Sequence, residues 1–137
     1  MIKTLYDIES DLYSVCKAFF KDAVNGETYR EDCRPANSNK EDVVCIVSFA
    51  TADQIQEGDC LVDIFVNDIT SKGNRRQTDK KRVGEVSSLD EELVEALNDE
   101  LVGEYTWELS RATSCSKLHD TNQHYVTIHL QFKRKTF

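Results

Sequence analysis

Two apolar stretches decide the fold: residues 43–50 read VVCIVSFA and residues 59–68 read DCLVDIFVND. The first is a nearly continuous run of β-branched and aromatic residues, which is typical of a central strand. The second alternates, so that every other residue from Cys60 to Val66 shares one apolar face. Only a turn region at residues 54–58 separates the two stretches. We therefore predict that they pair as an antiparallel hairpin.

An amphipathic helix is predicted before this hairpin, at about residues 4–24. Apolar residues recur there at three- and four-residue steps, which is the spacing of one helical face. Thr4 and Asp7 have the spacing of a capping box at its start. Asn25 and Gly26 are typical of a helix end.

A second helix is predicted after the hairpin, ending at Gly103. Ser88 and Glu91 have the spacing of a capping box, although Val83 allows the helix to begin as early as Asp79. The apolar stripe of this helix consists of Val86, Leu89, Leu93, Leu97 and Leu101.

The remaining strands are predicted at residues 28–33, 105–112 and 125–134. The last two alternate apolar and polar positions, which predicts a sheet with one solvated face. A polar connection is expected at residues 113–122. The order of these elements predicts a single α+β domain over residues 1–137, with a mainly antiparallel sheet of four to five strands and two helices packed on one face.

Charge is distributed unevenly along the chain. The formal net charge is -8, yet six of the seventeen basic residues lie between positions 72 and 82, where Asp79 is the only acid. The polar loop at about residues 69–82 thus opposes the charge of the rest of the domain. It is either a solvated surface loop or an arm that contacts an acidic neighbouring subunit or a DNA backbone. The candidate interaction residues are Lys72, Arg75, Arg76, Lys80, Lys81 and Arg82.

The other compositional features indicate an intracellular protein. The five cysteines are an odd number without a C-x-x-C pair, and Cys16, Cys45 and Cys60 lie in apolar patterns, so we expect reduced and buried thiols. No signal peptide is expected, because the N-terminus lacks the apolar stretch that one requires. No membrane span is expected, because the longest apolar run is far too short. The net charge of -8 disfavours a general nucleic-acid binder.

The sequence offers no convincing catalytic constellation. His124 and His129 should lie on opposite faces of one strand, because their spacing is odd. A small metal-dependent hydrolase would use Asp59, Asp63 and a histidine, but a solvated acidic face explains these carboxylates better. His119 and Cys115 lie in the polar connection without a catalytic partner nearby. We expect no enzyme activity, no cofactor and no metal site.

The order of elements and several local sequences resemble the tail-completion or tail-terminator proteins of tailed bacteriophages and prophages. The acidic second helix and the closing strand at residues 124–132 belong to this resemblance. The local sequences are VNG at residues 24–26, YREDCRP at 29–35, NSNKEDVV at 37–44, QEGD at 56–59 and VDIFV at 62–66.

This resemblance implies a structural virion-assembly protein at the head–tail junction. Its copies would form a hexameric ring that caps the tail tube and joins it to the connector, with DNA passing through the lumen without specific binding. It would be found in the virion, and in the host cytoplasm during assembly, with no membrane contact. The alternative from the residues alone is a non-viral adaptor or inhibitor domain that binds a protein through the exposed sheet face; the hydrolase is the least favoured.

Overall fold

The computed structural model describes residues 1–71, 73 and 75–137. Its helices are α1 (Leu5–Phe20), α2 (Lys80–Ser87) and α3 (Asp90–Glu100). Its strands are β1 (Thr28–Arg30), β2 (Val43–Ala50), β3 (Ile55–Asn67), β4 (Ile69–Thr70), β5 (Arg76–Gln77), β6 (Tyr105–Lys117) and β7 (Gln123–Lys135). None of the helices within the described ranges is long and apolar enough to cross a membrane.

Five strands form one mixed sheet in the order β1-β2-β3-β7-β6, and β4 and β5 form a separate two-stranded sheet. β1 runs parallel to β2, whereas the other neighbouring strands of the large sheet are antiparallel. The predicted α+β class and the β2–β3 hairpin are therefore confirmed. The parallel pairing of β1 is possible because the connector at residues 31–42 is long enough to return the chain to the same end of the sheet.

The core lies between the helices and one face of the large sheet. Val86 of α2 and Leu97 of α3 belong to the same buried cluster as the apolar face of α1. The prediction of reduced and buried thiols is confirmed for Cys16, Cys45 and Cys60. Burial raises the pKa of Cys60 far above its ordinary value. The sheet contributes Val43, Cys45, Val47, Cys60, Val62, Ile64, Val66, Val126, Ile128, Leu130 and Phe132.

The start of α1 is as predicted and its end is earlier. Thr4 Oγ1 accepts a hydrogen bond from the Asp7 N–H, and Asp7 Oδ2 accepts one from the Thr4 N–H, so the capping box is confirmed. The helix ends at Phe20, whose carbonyl accepts the N–H groups of both Ala23 and Val24 in a following turn. Residues 21–24 are thus a turn and not the last turn of the helix.

The second helical region is divided into α2 and α3. α2 begins early, at Lys80, because the Asp79 side chain accepts the Arg82 N–H and caps it. The predicted capping box of Ser88 is wrong: the Ser88 hydroxyl donates to the Glu85 carbonyl, 2.7 Å away, at the end of α2. A serine that bonds back to the preceding turn competes with continuation of the helix, and the chain restarts as α3 two residues later.

Three strands extend beyond their predicted boundaries, β7 by only one or two residues at each end and β3 and β6 by more. β3 begins at Ile55, where a turn is predicted, and β6 continues to Lys117, through the predicted polar connection. Both extensions lack a continuous apolar pattern and pair with β7, whose ladder with β3 is unbroken from Ile55 to Asn67. The partner strand, and not local hydrophobicity, therefore sets these ends.

Candidate interaction surfaces

The predicted basic loop has a structure of its own. β4 and β5 form a short hairpin in which Ile69 pairs with Gln77 and Thr70 pairs with Arg76. The backbone N–H and the hydroxyl of Ser71 both donate to the Arg75 carbonyl, at 2.8 and 3.0 Å. Arg75 and Arg76 therefore lie on a hydrogen-bonded hairpin backbone.

His124, near the start of β7, holds the base of this hairpin. Its Nδ1 lies 2.6 Å from Asp68 Oδ1, just before β4, and its Nε2 lies 3.0 Å from Thr78 Oγ1, just after β5. One imidazole thus joins both ends of the hairpin to the sheet. The predicted separation of the histidines is confirmed, because His129 lies on the opposite face of β7.

Four cations form an exposed group, which we call the basic arm: Arg75, Arg76, Lys80 and Lys81. The first two lie on the hairpin and the other two in the first turn of α2. Within the part of the chain that the structure describes, none of the four forms an ion pair. Lys72, a further predicted interaction residue, lies outside the described residues.

Arg82, which the sequence groups with the interaction residues, bonds to its own domain and is therefore not included in the basic arm. Its Nε and Nη2 donate to the two carboxylate oxygens of Glu41 at 2.7 and 2.9 Å, and Nη2 also donates to the Ala23 carbonyl at 2.7 Å. Its Nη1 lies 3.0 Å from Glu85. The hydrogen bonds to Glu41 raise the pKa of Arg82 further above its ordinary value. This side chain connects α2 to the turn after α1 and to the connector preceding β2.

That connector covers one corner of the second face of the large sheet. The Arg34 guanidinium lies 3.8 Å from the centre of the Phe65 ring, and its Nε donates to Asp42 Oδ2 at 2.9 Å. Burial by itself would raise the pKa of Asp42, but hydrogen bonds from the Ser38 hydroxyl, the Glu27 N–H and Arg34 outweigh it and hold the pKa below its usual range.

The remainder of this second face, which we call the open face, has none of the described helices packed on it. The register of β2 against β3 shifts between Val47 and Phe49, which leaves Ser48 as the extra residue of a β-bulge. Because of this bulge Phe49 pairs with Asp59 and shares its face, although strict alternation would place it in the core. The Phe49 side chain is 51% exposed as a result.

An open groove of about 630 Å³ lies beside Phe49, over the ends of β3, β6 and β7. Its charged lining consists of three carboxylates, Glu57, Asp59 and Glu108, and one ammonium group, Lys133. Lys133 Nζ is 3.8 Å from Glu57 Oε1, but both side chains are largely exposed, so this pair contributes little. The groove is therefore acidic, with one aromatic wall.

Asp63, one of the two carboxylates that a hydrolase would use, binds another side chain on the open face, and so does His129. Asp63 Oδ1 accepts the Thr127 hydroxyl at 2.7 Å, and burial raises the pKa of Asp63. His129 Nε2 lies 3.1 Å from Ser114 Oγ, and burial together with the nearby Arg111 charge lowers the pKa of His129. Among the described residues, no three His, Cys, Asp or Glu side chains are grouped so that they could hold a metal ion.

The chain matches no protein-family model and no curated protein. Functional conclusions therefore come from its own surfaces. Sequence patterns identify the basic arm, because its charge density is local. They miss the groove, since its residues come from four strands and its aromatic wall depends on the bulge at Ser48.

Proposed function

We propose that the chain is a structural assembly subunit of the tail-terminator type. Its copies would join into a hexameric ring that caps the tail tube at the head–tail junction of a tailed bacteriophage. The observation that carries the proposal is the basic arm. It consists of four exposed cations, two on the β4–β5 hairpin and two in the first turn of α2, attached to an acidic domain. Because the described fold does not use these charges in ion pairs, they are available to a partner.

The fold is of the kind that the family resemblance implies. A sheet with helices on one face leaves its other face for contact with neighbouring subunits, and the arm follows the β2–β3 hairpin, where the resemblance leads us to expect contacts. The net charge of -8 favours passage of DNA through a lumen over specific binding to its wall, since like charges repel. The tail tube and the connector are the further partners of this proposal, and the virion is its location.

Size-exclusion chromatography with light scattering tests this proposal, with and without the cognate tail-tube protein. We expect oligomers at high protein concentration or on the tube. The matched variant replaces Arg75, Arg76, Lys80 and Lys81 with serine, and it should remain folded but assemble poorly. Raising the salt concentration should weaken the unmodified protein in the same way, because screening reduces charge–charge attraction. A chain that stays monomeric at every concentration and ignores the tube protein would refute the proposal.

A second candidate, a protein-binding adaptor or inhibitor domain, is favoured by the groove beside Phe49. Aromatic residues are enriched at protein–protein interfaces, and Phe49 is an exposed aromatic beside this groove. The two candidates differ in their surroundings and in the effect of the arm. Capsid, portal and tail genes next to this gene would support the first, and partner binding that is indifferent to the arm would support the second.

A further inference from the structure

The basic arm and the groove are chemically complementary. A guanidinium group forms paired hydrogen bonds with carboxylates and stacks on aromatic rings, and the groove offers both kinds of partner. Asp59 and Glu108 supply carboxylates, and Phe49 supplies a half-exposed ring. Arg75 and Arg76 are the exposed guanidinium groups of the arm.

These two surfaces lie at opposite ends of the same rigid strand. The groove contains Glu57, near the start of β3, and the arm leaves the sheet just after Asn67, at its end. Ten residues of extended strand separate these positions by about 33 Å, at roughly 3.3 Å per residue. Among the residues that the structure describes, this hairpin pairs two residues on each side, which makes it too short to reach the groove of its own molecule.

We propose that the groove receives Arg75 and Arg76 of a second copy of this chain, an inference that rests on the assembly function proposed above. Such a contact is head-to-tail: each copy inserts its arm into one neighbour and accepts the arm of another. Contacts of this type close into a ring when the rotation between copies allows it, and otherwise form an open filament.

Charge complementarity favours this occupant over a partner of unknown chemistry. The groove has three carboxylates against one ammonium group, and the arm presents four cations. α3 also presents exposed acids, including Glu92 and Glu95, but neither of these residues lines the groove beside Phe49. The acids of α3 therefore provide a control surface with the same charge.

A charge-swap experiment tests the contact by sedimentation velocity over a range of protein concentrations. The groove variant is Asp59→Lys with Glu108→Lys, and the arm variant is Arg75→Glu with Arg76→Glu. The control, Glu92→Lys with Glu95→Lys, changes the net charge by the same amount as the groove variant. We expect each of the first two variants to associate at least about 10-fold more weakly than the unmodified protein, and the control to associate normally.

Mixing the groove variant with the arm variant gives the most decisive test. In an equimolar mixture, the reversed groove of one variant can bind the reversed arm of the other. The unchanged groove of the arm variant can likewise bind the unchanged arm of the groove variant. The mixture should therefore recover association that neither variant shows alone. A fold defect could not be repaired in this way. Phe49→Ser provides a variant without any change of charge, and it should also weaken association because the aromatic wall is removed.

The outcomes separate this inference from the assembly proposal. If the unmodified protein associates and the groove variant and Phe49→Ser associate equally well, the groove is not the docking site, although assembly through the arm still stands. Failure of the mixture to recover would likewise overturn the pairing of arm and groove. If the unmodified protein stays monomeric both alone and with the tube protein, the assembly proposal fails and this inference fails with it.

Discussion

Replacing Arg82 with glutamine should destabilise the domain, even though the neighbouring cations of the basic arm can be replaced without such an effect. The substitution leaves the Glu41 carboxylate, 12% exposed, and the Ala23 carbonyl without their donor. A buried polar group left unsatisfied costs roughly 1–3 kcal/mol. Because solvent reaches 27% of the Arg82 side chain, we take the lower part of this range for each group, a total of about 2–3 kcal/mol.

Thermal unfolding followed by circular dichroism measures this effect. An unfolding entropy of about 2.1 cal/mol/K per residue gives a 137-residue domain roughly 0.29 kcal/mol/K, so Arg82→Gln should lower the Tm by about 7–10 °C. Arg82→Lys keeps the charge but loses the two-pronged contact with Glu41, and it should fall in between. The control that replaces Arg75, Arg76, Lys80 and Lys81 with serine should change stability by only about 0.5 kcal/mol or less, about 2 °C.

A Tm of Arg82→Gln within about 2 °C of that of the unmodified protein would contradict the predicted destabilisation. The contacts to Glu41 and Ala23 would then be dispensable for folding. Arg82 would return to the interaction residues, and its effect would have to be sought in assembly. Strong destabilisation by the four-residue control would show instead that the arm itself supports the core.

Three further results are expected. Gly58→Ala should lower the free energy of unfolding in urea by about 2 kcal/mol, because a Cβ atom there would overlap the Phe49 carbonyl oxygen and lie 2.7 Å from the Phe132 ring. Unchanged stability would mean that β2 can move away from β3 without loss of stability. Stability should fall as the pH drops below about 3.9, since the pKa of Asp42 is lower in the fold than in the unfolded chain; Asp42→Asn should be less stable at pH 7 and respond less to acid, and an unaltered acid transition would contradict this. Maleimide should label two thiols in the native protein and three more only on unfolding, which mass spectrometry can count; early labelling of the second set would show that the core opens. The first set is Cys33 and Cys115, and the second is Cys16, Cys45 and Cys60.

The sequence predicts those parts of the fold whose signal is local. The bounds of β2 at residues 43–50 match the structure, because a nearly continuous apolar run, rich in β-branched residues, occupies the strand. The first capping box is also found, since its hydrogen bonds join two residues, Thr4 and Asp7, that are only three positions apart. The polar half of β6 is missed because it pairs with β7, and no local pattern records that partner.

The candidate surfaces divide in the same way. A count of charges finds the basic arm but cannot show that Arg82, one residue after Lys81, turns inward to Glu41, because Glu41 is far away in sequence. Strict alternation along β2 places Phe49 in the core, and the one-residue bulge at Ser48 reverses this. A periodic pattern in the sequence does not reveal a one-residue bulge, so the aromatic wall of the groove is found only from the structure.

The attachment of the arm at His124 has a mechanical consequence. A hairpin joined to a domain by two independent loops swings freely, whereas here Asp68 and Thr78 meet the same imidazole. β7, which carries that imidazole, is bonded to β3 on one side and to β6 on the other. A force on this hairpin therefore has a path through the imidazole to β7 and to the two strands that flank it. In the proposed assembly, one subunit could therefore pull on its neighbour through this hairpin without first detaching the hairpin from its own sheet.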